Sequence, residues 1–184
     1  MKAGMDSAPG YAGSTGLFFE NERMSAGMTD YETSQRVLRE LFERDYTFVL
    51  ATCVENIPSQ RVVDTCYWQG AFWIVTHGIS NKVRQLQENP RVSLCNGFHI
   101  FEGTAFNAGH PLLEQNREIR QKLTEVFAPW YFAHNDEADE QMCFVKVEPR
   151  TGFFHGNGTG YRVDFLARTA QLIPFSPQIQ MMVD

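Results

Sequence analysis

Between Tyr46 and Thr76 the chain has little choice but to run as antiparallel strands. "YTFVLATC" (Tyr46–Cys53), "SQRVVDTCY" (Ser59–Tyr67) and "AFWIVT" (Ala71–Thr76) are each rich in β-branched and aromatic residues. Only "VENIP" and Trp68-Gln69-Gly70 separate them. Parallel neighbours need a crossover of roughly a dozen residues or more, so connections this short join antiparallel ones.

The flanking sequence extends the pattern. "TDYE" at Thr29 has the S/T-x-x-E form of a capping box, and Val37, Leu38, Leu41 and Phe42 then form one helical stripe. A second helix is expected from Ser80 to Glu88, with Val83 and Leu86 on its apolar face. Asn89-Pro90 ends it, because proline disfavours helical geometry in the residue before it. Arg91–Cys95 and Phe98–Asn107 read as further strands. "PLLEQNREIRQKLTEVFAPWYF" is expected to hold the longest helix, with Leu113, Ile119, Leu123 and Phe127 on one side. "QMCFVKVEP" and "TGFFHGNG" read as another hairpin, continued by "YRVDF". Residues 1–28 are rich in Gly, Ala, Ser and Met without a period. They are expected to be a flexible extension, with Met24 or Met28 as alternative starts, and residues 29–184 a single domain. The fold class implied is mainly β with peripheral helices, a small barrel.

Composition narrows the function classes. A formal net charge of −6 argues against a nucleic-acid surface, which needs a basic face. No apolar run approaches the ~20 residues of a membrane span, and no signal peptide is expected. Cys53, Cys66, Cys95 and Cys143 show no CxxC pairing, which suits reduced thiols in a cytoplasmic protein. Fifteen Phe fit either a β core or a site for a flat ligand, and composition does not choose between them. The five His lack HxxxH or HExxH spacing, so no dedicated metal site is expected. No Ser-His-Asp set or paired carboxylates stand out. The acidic "HNDEADE" (His134–Glu140) suggests no role beyond solubility, and Trp130, Tyr131 and Phe132 fit either a cover that a partner subunit lays over a flat ligand or a buried helix end.

The junction after "AFWIVT" carries the most chemistry. A helix N-terminus offers unpaired N–H groups and the positive end of the helix dipole, a ready anion site. Thr76 and Ser80 add hydroxyls there, and Lys82 adds a positive charge at the end of the dipole where a cation is unfavourable without an anion. Strand alternation puts Arg61 on one face with Val63 and Thr65, opposite Val62 and Asp64. If the second and third strands pair along their length, Arg61 comes close to Thr76 and Ser80. A phosphate suits such a spot. So does a plain capped surface helix, with Ser80 as N-cap and Lys82, Arg84 and Glu88 in solvent.

"LATCVENIPSQRVVD" followed by "YWQGAFWIVTHGISNKVRQLQENPRVSLC" resembles the FMN-binding split-barrel superfamily, which includes pyridoxamine 5′-phosphate oxidases and general-stress-protein-like flavoproteins. The shared pattern is L-A-T…P-x-x-R-x-V, then T-x-x-x-S-x-K, then a helix ending in N-P-x-V. The resemblance implies a homodimeric split barrel with FMN at the subunit interface. It implies that Arg61, Thr76, Ser80 and Lys82 hold the FMN phosphate, with Val75 and Asn81 beside them, and that Val62, Val63 and Asp64 run along the isoalloxazine. Redox chemistry then belongs to the flavin, no catalytic side chain is assigned, and the partner is a small redox substrate, with NAD(P)H as a candidate donor. One departure matters: the C-terminal R-L-H-D-R-type element of true pyridoxamine-phosphate oxidases is missing, and "GYRVDF" stands in that region. The alternatives are a non-catalytic flavin-binding or stress-response protein, or a split barrel for a deazaflavin or haem, the last with His77, His99 or His155 as axial candidates.

Overall fold

A computed structural model describes residues 27–177; most of the expected extension, residues 1–26, and the last residues, 178–184, lie outside it. The capping box forms: Thr29 N–H donates to Glu32 Oε2 (2.8 Å), and Glu32 N–H donates to Thr29 Oγ1 (3.2 Å). It opens α1 (Asp30–Phe42), which buries Val37, Leu38 and Phe42 against the sheet.

Next come β1 (Tyr46–Val54), β2 (Ile57–Trp68) and β3 (Ala71–His77), then α2 (Asn81–Glu88), β4 (Arg91–Asn96) and β5 (His99–Gly109). A 3₁₀ turn, α3 (Arg117–Val126) and α4 (Tyr131–His134) precede β6 (Met142–Gly156), β7 (Thr159–Asp164) and β8 (Thr169–Pro174). The β1–β2, β2–β3 and β6–β7 hairpins turn through Glu55-Asn56, Gln69-Gly70 and Asn157-Gly158, all at positive φ. That is the turn geometry whose twist matches antiparallel strands.

All strands are antiparallel, and β1-β2-β3-β6-β5-β4 close into a six-stranded barrel. Its interior is aromatic: Phe42, Phe48, Phe72, Phe101 and Phe154 are at most 1% exposed, and Phe72 and Phe101 lie 4.7 Å apart. Much of the chain's phenylalanine therefore serves the core.

Two expectations need correcting. "QMCFVKVEP" and "TGFFHGNG" are one strand of fifteen residues, β6, and not a hairpin. Pro149 does not break it, because it sits at a bulge opposite Gly103, where the ladder skips a residue. Gly103 is required there, since a Cβ would run into the Glu148 carbonyl oxygen. On its other edge β6 changes partner, pairing β3 over Met142–Val147 and β7 over Thr151–Gly156. The longest helix is α1, not the one after Pro111. Leu113 falls outside α3 and is exposed, while Ile119, Leu123 and Phe127 are buried as expected. β8, which extends the sheet beyond β7, has no counterpart in the sequence reading.

Candidate functional site

The β2–β3 ladder holds only next to its turn, at Cys66–Trp73, Tyr67–Phe72 and Trp68–Ala71. Beyond that the strands part, because β3 turns to pair with β6. The expected full pairing, which would have carried Arg61 along a ladder to Thr76, is therefore not made. The gap becomes a cleft of about 620 Å³ lined by Val62, Val63, Asp64, Ile74, Val75 and Lys82. Strand alternation is as expected: Val63 and Thr65 are buried, and Val62 and Asp64 face outward.

Arg61 reaches α2 rather than β3. Its Nη1 donates to Thr52 Oγ1 (2.7 Å) and its Nη2 to Gln85 Oε1 (2.6 Å). Thr52 Oγ1 also donates to Gln85 Oε1 (2.7 Å), so a buried hydroxyl and a helical amide hold the guanidinium. Lys82, on the first turn of α2, makes no ion pair or hydrogen bond among the described residues. Burial pulls its amine below the usual lysine range, and the nearby Arg61 charge pulls it further. Two cations thus lie close together without a counter-charge.

Ser80 occupies the N-cap position of α2, yet its side chain caps nothing. Its Oγ is buried and has no partner. Thr76, at the end of β3, is buried too. Asn81 is exposed, and its side chain accepts from Arg84. An orphaned hydroxyl and an unpaired lysine beside an arginine, set at the free amides that any helix N-terminus offers, have the chemistry of a phosphate cradle.

Of the opposite wall, the sequence points to Trp130 alone. That wall consists of Asp45, Trp130, His134 and Asn135. Trp130 Nε1 donates to Asp45 Oδ2 (2.8 Å), and its ring stacks on Phe127 at 4.5 Å. So Trp130 lines the cleft of its own chain, Tyr131 is a buried helix end, and Phe132 is exposed. The acidic loop does more than solubilise. Glu137 receives both Arg120 nitrogens (2.8 and 2.7 Å) and the Tyr131 hydroxyl (3.0 Å), and thereby fixes the loop behind this wall. Thr52 and Gln85 were also missed. The one available signal was a polar residue at an inward position of β1.

Of the histidines considered as haem ligands, His99 and His155 stack on each other (4.6 Å) and do not line the cleft. His77 pairs with Asp139 (3.3 Å) at the end of β3. His134, not considered before, does line it.

The profile of a family described as pyridoxamine 5′-phosphate oxidase matches residues 34–156 of this chain. No curated protein sequence matches it. Similar solved structures include a NimC/NimA family protein from Clostridium acetobutylicum, at 17% identity, 79% of this chain, 96% of that one and a TM-score of 0.50. A heme storage protein from Vibrio cholerae shares 16% identity over 70% of this chain and 93% of its own, with a TM-score of 0.50. For a heme binding protein from Mycobacterium smegmatis the figures are 15%, 68%, 55% and 0.51. At these identities the likeness is one of fold.

Proposed function

Since the chain belongs to the pyridoxamine 5′-phosphate oxidase family, we propose that it is an FMN-binding flavoprotein, and an oxidoreductase acting on an unidentified small substrate. The observation that carries this reading is Lys82, unpaired beside Arg61, with the orphaned Ser80 hydroxyl at the start of the same helix. Arg61, Thr76, Ser80, Asn81 and Lys82 would hold the phosphate. Val62, Val63 and Asp64 would border the ring, with Val75 on the facing strand. Bound FMN would supply the two-electron redox chemistry. The chain's own contribution is to bind and orient. Gln85 and Thr52 aim the Arg61 guanidinium, while Trp130, His134 and Asn135 limit what enters beside the cofactor.

The site is proposed to be completed by a second copy of the chain. Across the outer barrel face, Val62, Val49, Cys95, Ile100 and Phe153 stand side by side on five neighbouring strands. Val62 is 68% exposed and Ile100 41%, and this row begins at the cleft. An apolar row of this kind beside a ligand site suits a two-fold interface. Four free cysteines accord with a cytoplasmic protein, and no helix among the described residues is long and apolar enough to cross a membrane.

A second reading is haem in the same cleft, favoured by His134 on its wall and by the two haem proteins that share the fold. The deciding experiment is mass spectrometry of the small molecule released on denaturing the purified protein, with its absorption spectrum alongside. FMN supports the first reading, a Soret band the second, and neither ligand sinks both. Steady-state oxidation of NAD(P)H by the loaded protein then separates an enzyme from a binder.

A further inference from the structure

The turn that presents Ser80 and Lys82 is fastened to the loop behind the opposite wall of the cleft. Gly78 N–H donates to the Gln141 carbonyl (2.7 Å). One residue earlier, His77 Nδ1 lies 3.3 Å from Asp139 Oδ2. The His77 carbonyl accepts Ser80 N–H (3.0 Å), so the residue that grips the loop also shapes the turn. Asp139 is committed in several directions. Its Oδ1 accepts Gln141 N–H (2.8 Å), its carbonyl accepts Met142 N–H (2.9 Å) and its own N–H reaches Asp136 O (3.0 Å). His110 Nε2 lies 3.2 Å from the same carbonyl. This loop follows directly on His134 and Asn135, which line the cleft.

We propose that His77 and Asp139 are a positioning pair that joins the anion-holding turn to the far wall of the cleft, so that phosphate affinity depends on their contact. The inference rests on the reading of the cleft as a flavin-phosphate site. A single half-exposed pair contributes little to stability, so its effect should appear in binding rather than in folding. The contact acts beside the Gly78–Gln141 backbone bond, and the loop it reaches is itself held by Arg120 of α3 through Glu137.

The test compares FMN and riboflavin affinities of the full-length protein with those of His77→Gln, His77→Lys and Asp139→Asn at one fixed pH. The wild-type preference for FMN should exceed that of His77→Gln by about three- to fivefold. His77→Lys, which can still meet the carboxylate, should keep the excess. Asp139→Asn, which can still accept from Gln141, should lose it and speed amide exchange at Gly78 and Ser80 in the ligand-free protein. An identical FMN-to-riboflavin ratio in all four proteins, or unchanged exchange in Asp139→Asn, overturns the proposal. A wild type that binds neither flavin rejects the cofactor reading instead, and exchange alone then decides whether the pair fastens the turn.

Discussion

Lys82 concentrates the cost of the site in one side chain. A partly buried ammonium beside Arg61, with no anion of its own, opposes the folded ligand-free state. Its amine is lowered relative to the unfolded chain, so the unfolded state binds more protons between the two values, and ligand-free stability rises with pH across that window. Lys82→Met should remove this dependence and stabilise the ligand-free protein by about 1 kcal/mol, read by thermal denaturation. The same variant should weaken FMN about tenfold or more, the worth of one charge-assisted hydrogen bond, and leave riboflavin nearly unchanged. A loss shared equally by both ligands would remove Lys82 from the phosphate site. His99 gives a second prediction. Burial, and then its stacked neighbour His155, push it down to about 4 from the ordinary 6.5, and its Nδ1 has no partner. A histidine kept neutral in the fold contributes stability above the ordinary value that is lost as pH falls toward 4. Half-buried, it should account for about 2 kcal/mol of that loss. His99→Phe should flatten the acid limb of denaturation midpoint against pH; an unaltered limb would show that other groups carry it.

Among the elements, the loop between α4 and β6 shows how a surface-like sequence can be structural. Glu137 is 12% exposed at its side chain and bonded by both Arg120 and Tyr131, and these bonds, Arg120 foremost, hold its carboxyl below the usual range. Stability from this group is present above the ordinary carboxylate value and lost as pH falls through the lowered one. Glu137→Gln should cost about 1–2 kcal/mol in chemical denaturation at neutral pH. It should also expose Trp130 to a soluble quencher in a Trp68→Phe/Trp73→Phe background. Unchanged quenching would detach the loop from the cleft wall. Local rules read this region and β6 poorly for one shared reason. A run of acidic residues and a proline both signal solvent and turns, whereas Arg120 and Gly103, which reverse those signals, lie far away in sequence.

At the level of the whole molecule, the row from Val62 to Phe153 is continuous only because five strands lie in register. If it is a two-fold interface, Ile100→Asp should give a folded monomer by light scattering and weaken FMN, although Ile100 lies outside the cleft lining. A monomeric wild type with full FMN affinity would refute it. The sequence by itself determined what short-range physics controls: the capping box at Thr29, the β1–β2–β3 meander, the alternation that buries Val63 and exposes Val62, and the strand-to-helix junction with its hydroxyls and lysine. Periodicity, turn chemistry and capping act over a few residues and need no partner to be read. Tertiary structure alone decided where β3 leaves β2 to pair with β6, and that parting opens the cleft. It also brought Gln85 and Thr52 to Arg61, and Trp130, His134 and Asn135 to the facing wall. Those choices depend on which distant strand competes for an edge and which buried group lacks a partner, and neither is encoded in the spacing of neighbouring residues.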